Sequence, residues 1–131
     1  MLNPFPSLLV LSFFAPTIVR TVAAIVIGVL TYHHYQNQRE IRSIISPIVG
    51  KLAEPLLWLV IIIEAATTVC LFVGFETQIA AIVGALLAIR SIIVRPRALS
   101  PFDRSADWLL LAICCSLLLT GAGAYSFDIP L

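Results

Sequence analysis

The sequence predicts an all-α integral membrane protein: a four-helix bundle with an interfacial amphipathic helix between the first and second spans. Three observations carry this reading. Of 131 residues, 60% are hydrophobic and only 11% are charged, whereas a soluble domain spreads about a quarter charged residues over its surface. The mean hydropathy is accordingly +1.05. Four segments, about 17–35, 55–74, 77–94 and 106–124, are apolar over the ~20 residues that a bilayer crossing needs. Finally, Arg39, Arg42 and Lys51 fall between the first two segments, and Arg95, Arg97 and Arg104 between the last two. With four crossings, six of the eight basic residues share one face, as the positive-inside rule requires. The chain is therefore expected to be a single multi-pass domain of a cell membrane (plasma or inner), with both termini on the outer side.

The elements follow in order. The N-terminal "MLNPFPSLLVLSFFAP" lacks the basic region and small-residue cleavage site of a secretory signal and is expected to be retained. It either extends the first span through a kink at Pro16 or lies on the outer surface, the reading favoured here. The first span ends in "TYHHY", the composition of an aromatic and polar interface belt. In "REIRSIISPIVGKL", Ile41, Ile44, Ile45, Ile48, Val49 and Leu52 recur at one helical face, flanked by basic residues. This is the interfacial helix, expected to break or restart at Pro47. Pro55 falls in the first turn of the second span, and "GFET" (74–77) is a tight turn. In the third span Ala80, Gly84, Ala88 and Ser91 form a stripe of small residues that lets helices approach closely. "SPFDRSADW" reads as a Ser100 N-cap, Pro101 at the first helical position and Asp103 in the first turn of the fourth span.

Topology explains six basic residues but not Arg20, Arg90 or Glu64. A charge inside a bilayer costs roughly 3 kcal/mol even on the lenient insertion scale, so such residues are paired or functional. Glu64 lies ten residues from Gly74, about 15 Å from the outer face, and Arg90 lies thirteen from Thr77, about 20 Å from it. Side chains lean toward their own helix N-terminus, so an ion pair across the hairpin closes this offset from both ends. The competing reading has Arg90 reach the inner surface. Glu64, Thr67 and Thr68 form a polar patch facing the bundle interior. Arg20 either reaches the outer surface or, in a longer first helix, joins Glu64. Thr31 and His34 share its face, and His34 is a candidate proton relay because imidazole exchanges protons near neutral pH.

Several function classes are excluded. A net charge of +1 without a basic tract gives no footprint for nucleic acid. Cys70, Cys114 and Cys115 lie in apolar runs without CxxC or metal-ligand spacing, so they read as lipid-facing or packing residues, with a reactive pair formed with Cys70 as the lesser alternative, and no metal is expected. The sequence holds no nucleophile–base pattern, phosphate loop or intrinsic cofactor motif.

An arginine heading a small-residue span that ends in His and aromatics ("IVRTVAAIVIGVLTYHHY") is followed by a glutamate-bearing span, a turn and a Thr-x-x-Ala helix start ("IEAATTVCLFVGFETQIAAIVGALLA"). The chain then closes on "GAGAYSFD". In this order, over most of residues 17–128, the sequence resembles the DoxX family of small four-helix membrane proteins. The family pattern falls on Arg20, Glu64, Tyr125 and Asp128; the apolar N-terminal segment and the insert at 39–52 depart from it. The resemblance implies a small subunit, non-catalytic or co-catalytic, of a quinone- or thiol-linked membrane redox assembly, with quinone as the ligand in question. The alternatives are a homo-oligomeric transporter or proton-handling protein using Glu64, and a structural or assembly subunit.

Overall fold

The computed structural model describes residues 14–94 and 101–120. Among them there is no strand. The helices are α1 (Ala15–Gln36), α2 (Gln38–Val49), α3 (Ala53–Val73), α4 (Thr77–Ile93) and α5 (Arg104–Thr120), with a 3-10 turn at Gly50–Leu52 between α2 and α3. The four long helices pack in a ring: α1 on α3, α3 on α4, α4 on α5, and α5 back on α1, while α2 lies against α3. Ala15–Gln36 and the run Gln38–Val73 are long and apolar enough to cross a membrane; Thr77–Ile93 is apolar but shorter.

Pro16 sits in the first turn of α1, where its missing N–H would have had no helical partner. Asn37 interrupts the chain for one residue, its N–H bonded to the His33 carbonyl, and its own carbonyl accepts from Ile41 to begin α2. The expected break at Pro47 is corrected. The helix passes through Pro47 and ends at Val49, where Gly50 adopts φ 63°, ψ −131°. A proline in the last turn forfeits a single hydrogen bond, whereas a positive φ stops a helix outright. Ile41 is fully buried against Leu57 and Ile61 of α3, but Ile48 and Leu52 of the same stripe are exposed.

The α3–α4 connection is the tight turn read from "GFET". Gly74 takes the left-handed conformation, and its N–H and that of Phe75 both return to the Cys70 carbonyl. This closes the end of α3 in the manner of a Schellman cap. The start of α5 is a second correction. Pro101 and Phe102 precede the helix, which begins at Arg104 with the Asp103 carbonyl accepting from Ala106 N–H at 2.9 Å. Asp103 thus stands at the cap rather than in the first turn, its carbonyl accepting the first helical hydrogen bonds. Ser100, Arg95, Arg97 and residues 1–13 lie outside the described residues.

The distribution of polarity is inverted. On α3 the buried stripe is Ala53, Leu57, Ile61, Glu64, Thr67 and Leu71, while Leu59, Ile62, Val69 and Phe72 are exposed. The core is built largely from small residues, among them Ala23, Ala24, Ala81 and Ala88. At Gly84 a Cβ would stand 3.0 Å from Cys114 Sγ and 3.3 Å from Ile27 Cδ1. The small stripe of α4 therefore brings α1, α4 and α5 together at that level.

Candidate functional site: a buried carboxylate held from two helices

Glu64 lies mid-helix on the inward stripe of α3 and is completely buried. An ionised carboxylate in such a place must be paired and hydrogen-bonded to persist. Two helices supply the partners. His34, in the last turn of α1, is 1% exposed, and its Nδ1 lies 2.7 Å from Glu64 Oε2. Arg90, in the last turn of α4, donates from Nη1 to Glu64 Oε1 at 3.2 Å. Each carboxylate oxygen thus has its own donor. Both donors also sit where helix carbonyls leave partial negative charge, which favours cationic groups. Arg90 keeps 28% of its side chain exposed, so the cluster runs from the interior of the ring to its surface.

The remaining sequence candidates distribute around this cluster. Thr67 is buried and Thr68 half-buried, but their hydroxyls donate to the Ile63 and Glu64 carbonyls at 2.7 and 2.9 Å. They satisfy themselves on their own helix and do not reach the carboxylate. Thr31 does the same with the Ile27 carbonyl. His33, one residue from His34, faces a different way and meets the Asn37 side chain at 3.1 Å. Arg20 is 3% exposed and is not part of the cluster; fourteen residues separate it from His34, about 21 Å along α1. Its guanidinium packs against Gly74, so that a Cβ there would collide with it. Arg20 therefore lies at the C-terminal end of α3, a position that suits a cation. Tyr125 and Asp128 lie outside the described residues.

One buried charged residue escaped the sequence reading: Asp107, in the first turn of α5, is 3% exposed. Ser91, read as part of the small-residue stripe, is buried on α4 with no hydrogen-bond partner for Oγ among the described residues. Asp107 is in register with Leu110, Cys114 and Leu117, the buried stripe of α5. That periodicity was the available signal; the residue reads more naturally as a charge at a helix start. The three cysteines are free, and no group of three or more metal-ligating side chains occurs among the described residues.

Comparisons with family models, with characterised proteins and with solved structures return no match for this chain.

Proposed function

We propose that the chain is a DoxX-like, four-span membrane protein, acting as a small subunit of a quinone- or thiol-linked redox assembly in which His34, Glu64 and Arg90 form the proton-handling site. One observation carries the reading: a fully buried carboxylate joins an imidazole on one helix to a partly exposed guanidinium on another. The inverted polarity, with large apolar side chains outward on α1, α3 and α4, supports a lipid surround for all four long helices. In it α2 lies at the inner interface and the α3–α4 turn at the outer one.

A bound quinone would supply two-electron, two-proton redox chemistry, with electrons from a partner subunit. The residues present fit its head group. Arg90 uses one nitrogen on Glu64 and keeps 28% of its side chain exposed, so it can donate to a carbonyl oxygen without that group entering the ring. His34 can hold a proton at the imidazole, and Glu64 orients that ring and balances its charge. The sequence holds no flavin, haem or iron–sulfur motif, so this reading assigns electron transfer to a partner.

The test is gentle purification from membranes followed by extraction and quantification of bound quinone and co-purifying subunits. The wild-type chain should retain one or both, and Glu64→Gln should lose the quinone while keeping its helicity. A wild-type chain that carries neither quinone nor partner removes the redox reading. A second reading is favoured by the occupancy of both carboxylate oxygens: the cluster then serves only to pin α1, α3 and α4 together, and Glu64→Gln changes stability without changing ligand content.

A further inference from the structure

A cavity of about 220 Å³ opens where α1 passes into α2 beside the start of α3, away from the Glu64 cluster, lined by Gln38, Arg39, Arg42, Glu54, Leu57 and Trp58. We infer that this cleft is a binding site for the phosphate of an anionic phospholipid head group. The inference rests on the membrane reading above but not on the redox one.

The lining divides into a polar wall and an apolar floor. Arg42 spends one nitrogen on Glu54, Nη2 to Oε2 at 2.9 Å, with both side chains more than half exposed. The pair fixes the guanidinium at the cleft while leaving the rest of its donor fork available. Arg39 has no carboxylate partner among the described residues. Two cations against one anion leave the cleft with a surplus of one positive charge, and Gln38 adds an amide donor. Guanidinium forks match phosphate oxygens in a way that a point charge does not. Trp58 and Leu57 supply the floor, and Trp58 is braced edge-on by Tyr35 with ring centroids 6.4 Å apart. An aromatic pair of this kind marks head-group depth. Basic pockets between helices on the inner side are where anionic head groups lodge, and the residues 39–52 that form one wall are the insert by which this chain departs from the family pattern.

The experiment is native mass spectrometry of the full chain in mild detergent, offered phosphatidylglycerol and phosphatidylcholine of identical acyl chains. Detergent removes the charged membrane surface, so only seated lipid is counted. The wild-type chain should retain phosphatidylglycerol about tenfold better than phosphatidylcholine, because both offer a phosphate but the choline of the second sets a cation beside the surplus positive charge of the cleft. Arg39→Gln should abolish most of that preference, and Arg104→Gln, a charge change outside the cleft, should leave it intact. Equal retention of the two lipids, or equal loss in both variants, overturns the site. Displacement of the lipid by glycerol phosphate, with the soluble ester itself retained, keeps the phosphate site and reassigns its source. Release of the chain from membranes by alkaline carbonate would instead strike at the membrane reading.

Discussion

Two glutamate–arginine pairs involve the same helix, α3, and differ mainly in their surroundings. Glu64 and Arg90 meet at 3.2 Å with side chains 0% and 28% exposed; Glu54 and Arg42 meet at 2.9 Å with side chains 55% and 57% exposed. The shorter contact is the one whose loss costs less. In the open, a Coulomb gain of about 1 kcal/mol is offset by the entropy of two long side chains and by screening. In the core, desolvation makes the pair itself of doubtful net benefit, but it makes the loss of one partner severe. Distance thus says little about how much either pair matters; burial decides it.

The largest expected effect breaks the buried pair from one side. Glu64→Leu leaves Arg90 and His34 facing an apolar group and should destabilise the fold by about 3–5 kcal/mol. Glu64→Leu combined with Arg90→Leu should recover most of that loss, because no guanidinium is left without its carboxylate, while the hydrogen bond of His34 is missing from both variants. Unfolding of the detergent-solubilised protein followed by helicity would measure both. Equal losses in the single and double variants would show that the cluster's worth lies elsewhere, in His34 or in a ligand.

A third buried charge sharpens the comparison. Arg20 has the burial of Glu64 but sits against backbone at the end of α3, where the left-handed Gly74 makes room for it. Gly74→Val would force a β-branched residue to positive φ and drive its side chain into the guanidinium. The expected cost is about 2–3 kcal/mol from backbone strain and displacement together, again read by unfolding. A cost near zero would mean that Arg20 swings away freely and that its burial is not required.

How far the sequence reveals this arrangement depends on the kind of signal. The helices and the 74–77 turn are legible because apolar runs, prolines and a glycine act locally. The break before α3 is misread because Pro47 is the louder local signal and Gly50 the effective one. Within the site, Glu64 and Arg90 announce themselves as charges in apolar runs, and helix rise alone brings them to similar depth. His34 is harder. "TYHHY" has the composition of an interface belt, and only the depth at which α1 meets α3 puts one of its two histidines on the carboxylate. Asp107 is hidden for the same reason: an acid at a helix start needs no further explanation until packing shows it turned inward.

The smallest expected effect concerns the exposed pair. Glu54→Gln keeps the shape of the side chain and removes one charge from a contact that both partners make in the open. Stability should change by less than about 1 kcal/mol, within the scatter of surface substitutions. The informative readout is ligand retention. Glu54 is the acid lining the 220 Å³ cleft, so neutralising it raises the surplus there from one positive charge to two and frees the Arg42 fork. Retention of phosphatidylglycerol should therefore rise, opposite in sign to Arg39→Gln, while stability stays level. If Glu54→Gln instead destabilised the protein as much as Glu64→Leu, burial would not be what separates the two pairs. An unchanged lipid preference would mean that Glu54 and Arg42 belong to the fold of the α2–α3 hairpin and not to a phosphate site.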